Sequence, residues 1–394
     1  MMLFLLLALF LLTGCLGLPN SVVGGNTKTA ILGGMFRSSD RGETWQRVTT
    51  LYTIGDKTLN FNAANITTMA FDPKDQKAIY VGTQTNGLFY TFNYGDGWFN
   101  TLTDKGTVNS IVVNPESNCV IYVAVHNSIY KSVDCSRKWE QVYFETRSGQ
   151  YITSLSIDYN NTNVIYAGTS GGSFLKSKDA GHSWDVLKRF DYYINNIIIQ
   201  NHLDSRIIYV ATQNRGIFKT LDGGQNWVNL LDLPVDQSKI DEEKVFNAAV
   251  EKKKKELGVT KLPQAEMDKL EKDKYILLKS VAGAYSVVSV SADLSVKDGL
   301  VYANPNGIFR LTDGMMWKQL SLLTPPGKDN IYSVIVNPKD TNEVLYGTSN
   351  AWYRSVDNGA NWTIRSLPTD HTARIMAFSP DQKYLYLGAY KINK

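Results

Sequence analysis

Metal-ligating and redox side chains are scarce in this chain: its 394 residues include four His and three Cys. The four His (His126, His182, His202 and His371) show no ligand spacing, so a zinc site is not expected and no metal or cofactor is predicted. Charge of one sign is also lacking. The formal net charge is only +4, too small an excess to predict a nucleic-acid partner. No phosphate loop, nucleophile elbow or dinucleotide fingerprint occurs, which removes the common nucleotide-dependent and α/β-hydrolase chemistries. Long apolar runs are confined to the first residues, Leu3 to Leu12, which are too few to span a bilayer. What is plentiful is aromatic: 22 Tyr and 8 Trp.

The apolar run ends in Leu12-Thr13-Gly14-Cys15, although Met1-Met2-Leu3 carries no Lys or Arg. This ending resembles the bacterial lipoprotein box, which implies cleavage before Cys15 and acylation of its sulfur. Residues 1–14 are thus expected to be a signal peptide. Residues 15–28, rich in Gly, Pro, Asn and Ser, would be a lipidated cysteine and flexible tether. The expected address is extracytoplasmic, anchored to the membrane as a lipoprotein.

The remainder, 29–394, is one unit repeated. Four segments share a pattern: Ser38-Ser39-Asp40-Arg41-Gly42-Glu43-Thr44-Trp45, and the stretches Ser177 to Trp184, Thr220 to Trp227 and Ser355 to Trp362. Two degenerate copies end at Trp98 and Trp139, and a shortened one (Thr312-Asp313-Gly314) at Trp317. These seven Trp are separated by 53, 41, 45, 43, 90 and 45 residues, so the 90 is one repeat plus an insertion. Upstream of each copy lies a β-rich first strand: Ile66 to Phe71, Val108 to Val113, Ile152 to Ile157, Ile194 to Ile199, Tyr285 to Val290, Ile331 to Val336 and Arg374 to Phe378. A second strand follows, bearing Tyr80, Tyr122, Tyr166, Tyr209, Tyr302, Tyr346 or Tyr386.

Short strands at a period near 44 predict an all-β fold, a seven-bladed β-propeller of four-stranded antiparallel blades. The N-terminus supplies last strands without a first, and the C-terminus first strands without a last. Pairing them closes the ring and removes open edges.

The repeat resembles the Asp-box, or BNR, family of sialidases, sortilins, family-74 xyloglucanases and photosystem II assembly factors. That resemblance implies a turn between the third and fourth strands. Its scaffold residues would be Asp40, Gly42 and Trp45; Trp98; Asp134 and Trp139; Asp179, Gly181 and Trp184; Asp222, Gly224 and Trp227; Asp313 and Trp317; and Asp357, Gly359 and Trp362. The Asp is expected to accept backbone N–H bonds, the Gly to take positive φ and the Trp to pack between neighbouring structures. None is expected to be catalytic.

A sialidase-like site needs an arginine triad. Arg37, Arg310 and Arg354 instead share one repeat position with Lys131, Lys176 and Lys219, which architecture explains. A two-carboxylate hydrolase needs an acid and a base across a cleft, and the carboxylates outside boxes and turns (Glu145, Asp191, Asp293 and Asp329) are scattered. The leading expectation is therefore a non-catalytic binding or assembly module, monomeric, with a protein or glycan partner on the funnel face. It resembles the assembly-factor branch more than the hydrolase branch. The alternative is a glycoside hydrolase or carbohydrate-binding protein.

Cys119 and Cys135 fall on adjacent strands whichever turn length joins them, and a disulfide is expected between them. The insertion, residues 234–279, is predicted to be a helical hairpin. It opens on a capping-box-like Ser238-Lys239-Ile240-Asp241, breaks at Gly258 and restarts at Pro263. It is a candidate docking arm on the same face as the connector Thr49 to Ala64.

Overall fold

The computed structural model describes residues 33–392 apart from 54–56, 200–203, 237–241, 274–275, 295–297, 312–313 and 326. Cys15, the signal and tether assignments, the 238–241 cap, His202 and Asp313 lie outside the described residues. Among the described residues no helix is long and apolar enough to cross a membrane.

The chain folds as a seven-bladed propeller. Blade 1 is typical, pairing Ile66–Phe71, Ile79–Thr83, Leu88–Thr91 and Phe99–Thr101 in sequential antiparallel order. Blades 2, 3, 4, 5 and 6 start at Val108–Val113, Ile152–Ile157, Ile194–Ile199, Ser289–Asp293 and Ser333–Val336. Blade 7 joins Thr372–Phe378 and Leu385–Tyr390 to Met35–Ser38 and Gln46–Arg47, with Phe36 opposite Leu387, so the ends of the propeller close the ring as predicted.

Two details depart from expectation at blade 5. Its first strand begins at Ser289, not Tyr285, because the chain turns at Tyr285–Val287, where Ser286 N–H donates to Gly283 O and Val287 N–H to Tyr285 O. Its sheet also has six strands. The feet of the insertion, Pro234–Asp236 and Ile276–Leu277, add to its outer edge, the former parallel to Trp317–Gln319. Between them rise two helices, Glu242–Leu257 and Gln264–Asp273, broken at Gly258 with φ +66°.

The core lies between blades. Among the described residues, each apolar cluster draws on two neighbouring blades, such as Tyr122 and Ala124 of blade 2 with Ile152 and Leu175 of blade 3. All seven second-strand tyrosines are buried there. Two of their hydroxyls reach the next blade's eight-residue turn: Tyr122 donates to Ala180 O and Tyr386 to Tyr94 O, both at 2.9 Å. The cation at the shared repeat position follows the same route. Lys131 stands over the Tyr122 ring and donates to Ala180 O, and Arg37 donates to Tyr94 O. Lys176 and Lys219 likewise lie over Tyr166 and Tyr209. Lys131 and Arg37 thus join blade to blade, as does Lys219 through Asp298 at 3.2 Å.

In the turns themselves one scheme recurs. Ser38 Oγ donates to Asp40 Oδ1 (2.6 Å) and accepts from Gly42 N–H (2.7 Å), while Thr44 N–H donates to Asp40 Oδ1 (2.9 Å). Asp179, Asp222 and Asp357 are bonded in the same way, and Asp134 accepts from Ser132 Oγ and Lys138 N–H. These donors hold Asp40, Asp179 and Asp357 at a pKa of about 2, below the usual carboxylate range. Gly42, Gly181, Gly224 and Gly359 all take positive φ, and so do Arg41, Ala180 and Asn358 just before them. Trp98 and Trp317 are fully buried, donating from Nε1 to Val48 O and Leu230 O, whereas Trp45, Trp139, Trp184 and Trp227 are half-buried. Trp362, also buried, meets Tyr346 edge-on. Cys119 and Cys135 are disulfide-bonded. The His126-Asn127 turn sets Val125 opposite Ser128, and Cys135 N–H donates to Cys119 O.

Candidate functional site

Sequential antiparallel strands put alternate connections on opposite faces. The eight-residue turns share one face with the first-to-second-strand turns. The other face carries the second-to-third-strand hairpins and the connections between blades, and there the innermost strands open to solvent. A cavity of about 510 Å³ sits at this mouth, lined by Tyr193 and Asn195 of blade 4, Gln213 and Asn214 of its hairpin, Ser286, Val287 and Val288 leading into blade 5, and Arg374 of blade 7.

Each wall has a sequence origin. First strands pack on their neighbours around most of the ring, but Ile194–Ile199 and Ser289–Asp293 do so least, since the early turn at Tyr285 replaces the start of that strand. The wall is tied by Asn195 Nδ2 donating to Val287 O (2.8 Å) and Asn214 N–H donating to Tyr285 O (3.1 Å). Tyr193 meets Tyr151 edge-on at 5.9 Å, and Tyr151 lies parallel to His126 at 6.3 Å, so aromatic rings line blades 2 to 4 at this mouth. Burial, with the neighbouring Tyr151, pushes the Tyr193 phenol well above its ordinary pKa, so it stays a protonated donor. Such a mixture of amides, hydroxyls, aromatic faces and one cation suits a polyhydroxylated ligand.

The carboxylates noted in the sequence separate into two groups. Glu145 is buried and clamped by Arg147 through two bonds of 2.7 and 2.9 Å, and its pKa is lowered mainly by them. Asp293 is fully buried against the Arg310 guanidinium. Neither faces the cavity. Asp191 and Asp329 lie on the mouth face, in the connections entering blades 4 and 6. Asp191 is exposed with φ +59°, and Asp329 accepts from Ser349 Oγ at 3.0 Å. The predicted turn residues that the structure describes lie on the opposite face or at blade junctions, away from the cavity. Sequence reasoning did not find the cavity, because its members come from three blades and share no motif.

No family model matches the chain. Among curated proteins, xyloglucanase Xgh74A of Acetivibrio thermocellus is 25% identical over 244 residues, covering 50% of this chain and 29% of its own length. A xyloglucanase of a Paenibacillus species is 24% identical over 246 residues, covering 50% and 23%. The chain thus spans less than a third of the curated relatives it matches. Among solved structures, the GH74 xyloglucanase of Xanthomonas campestris superposes with a TM-score of 0.59 at 14% identity, over 83% of this chain and 51% of that one. YCF48 of Cyanidioschyzon merolae gives 0.56 at 12%, over 83% and 96%. At these identities the structural likeness shows the fold alone.

The sequence relatives correct the leading expectation. A non-catalytic binding or assembly module, and with it the judgement against an enzyme, gives way to the hydrolase alternative, because the matching curated proteins are named xyloglucanases. The physical reason for the error is plain. Glycoside hydrolysis needs only two carboxylates held by loops, and loops leave no periodic signature.

Proposed function

We propose that this chain is a glycan-hydrolysing propeller of the xyloglucanase type, acting at the mouth of its central channel. The observation that carries the reading is the sequence match to two xyloglucanases, to which the polar, tyrosine-lined cavity adds a fitting site. Tyr193 and Tyr151 offer ring faces to sugar rings, while Asn195, Gln213 and Ser286 supply hydrogen bonds to hydroxyls. The eight cavity residues include no carboxylate. We therefore assign the acid and base to the mouth face outside these eight residues, where Asp191 stands in the connection entering blade 4 and Asp329 in the connection entering blade 6. One protonates the leaving oxygen and the other activates the nucleophile.

Incubation of the purified protein with xyloglucan and other β-glucans, followed by assay of new reducing ends, tests this. Hydrolysis that falls at least a hundredfold in Asp191→Asn or Asp329→Asn supports the assignment. Hydrolysis untouched by both moves the chemistry elsewhere, and no hydrolysis of any β-glucan refutes the activity.

The repeated turn is read as an Asp-box on the strength of its recurring Ser-Asp-Gly hydrogen bonding, and Cys15 as a lipidated anchor on the strength of its box-like context. Retention in the membrane fraction, lost in Cys15→Ser, checks the anchor.

A further inference from the structure

In five blades the innermost strand carries a β-bulge near its start, at Thr67, Asn109, Thr153 and Asn195 after the first paired residue and at Arg374 after the second. A bulge takes a side chain out of the alternating pattern and re-aims it. In three blades the re-aimed group fastens the blade to its neighbour: Thr67 Oγ1 donates to Val108 O, Asn109 Nδ2 to Ile152 O (2.8 Å) and Asn195 Nδ2 to Val287 O (2.8 Å). Blades 3 and 7 depart from this: Thr153 is buried without such a bond, and blade 7 carries a cation at the position. Arg374 is exposed, its guanidinium lies 4.4 Å from the centroid of the Tyr390 ring, and it lines the cavity across the channel from Tyr193. Among the described residues no carboxylate pairs with it. Several other arginines are paired with carboxylates, Arg147 with Glu145, Arg206 with Asp204, Arg310 with Asp293 and Arg354 with Glu343, while Arg215, which stands over Tyr192 at 4.4 Å without a carboxylate among the described residues, lies outside this cavity.

We infer that the channel-mouth cavity takes an acidic saccharide, whose uronate carboxylate is received by Arg374. A guanidinium over an aromatic ring uses the ring face for contact and retains N–H donors for bidentate binding of a planar carboxylate. The Tyr193 hydroxyl and the Asn195, Gln213 and Asn214 amides complete a shell for the sugar hydroxyls. This inference rests on the glycan reading above and narrows it, since a neutral glucan has no anionic group to pair with the cation.

The test compares binding of neutral cello-oligosaccharides with uronate-bearing oligosaccharides of equal length by calorimetry, using the full chain and its Arg374→Gln and Arg374→Lys variants. The expected result is at least tenfold tighter binding of the acidic ligand. That preference, the ratio of acidic to neutral affinity, should disappear in Arg374→Gln, return in part in Arg374→Lys, and weaken with added salt. Equal affinity for acidic and neutral oligosaccharides overturns the inference and leaves the glycan reading standing. Binding of neither overturns both. Retained preference in Arg374→Gln, or equal binding of a free dicarboxylate or an acidic peptide, removes Arg374 or the sugar from the assignment.

Discussion

At the scale of single residues, the turns show how tightly geometry fixes side-chain choice. A Cβ added to Gly42 would fall 2.3 Å from the Trp352 ring, at a φ of +86° that L side chains resist. Gly42→Ala is predicted to cost about 1–3 kcal/mol, read from the midpoint of urea denaturation. Trp352 itself is buried with Phe36 and Leu387 at the junction of blades 6 and 7, which explains why it lies outside the repeat pattern. The turn aspartates carry a pH signature. Because their folded pKa values are depressed, their contribution is complete above the ordinary carboxylate pKa near 4 and is lost as pH falls towards 2. Thermal stability should therefore be flat from pH 7 to 5 and fall between 4 and 2, and Asp179→Ala should flatten that fall. A decline of equal steepness in wild type and variant would remove the turns as its cause. The turn was legible in the sequence because it recurs seven times. The αL residue before each glycine was not, since Arg41, Ala180 and Asn358 share no chemistry.

At the scale of elements, the insertion divides into parts with different duties. Its feet belong to blade 5: Leu278 is buried in the cluster that holds Trp317, whose indole bonds Leu230 O. Replacing residues 242–273 by a short Gly/Ser linker is predicted to shift the melting temperature by no more than a few degrees. Removal of 234–279 entirely uncovers that cluster and should lower it far more. The helices were legible from the break at Gly258 and the restart at Pro263, whereas the feet were not, because two- and three-residue strands have no periodicity to read. The same limit hid the start of blade 5, where Tyr285–Val287 has strand composition but turns to wall the cavity. A second element-level test concerns the junction of blades 5 and 6. Arg310 holds the fully buried Asp293 and reaches Thr341 O and Asn358 in the next blade. Arg310→Ala strips a buried carboxylate of its guanidinium and should cost about 3–5 kcal/mol by denaturant titration.

At the scale of the whole molecule, the aromatic richness of the sequence resolves into a ring of inter-blade contacts, and closure depends on one pairing. Met35–Ser38 finds its inner partner only in Leu385–Tyr390. Ending the chain at Asp381 should leave an open edge and give aggregates rather than monomers by light scattering. Fold and closure were readable because blades repeat. The site was not, because it gathers Tyr193, Ser286 and Arg374 from three blades that are distant in sequence. The most direct measurement of the central claim is release of reducing ends from xyloglucan and related β-glucans by the purified chain. The account predicts cleavage by the wild type, with at least a hundredfold loss in the Asp191→Asn/Asp329→Asn double variant. Intact polymer after prolonged incubation with the wild type would contradict it.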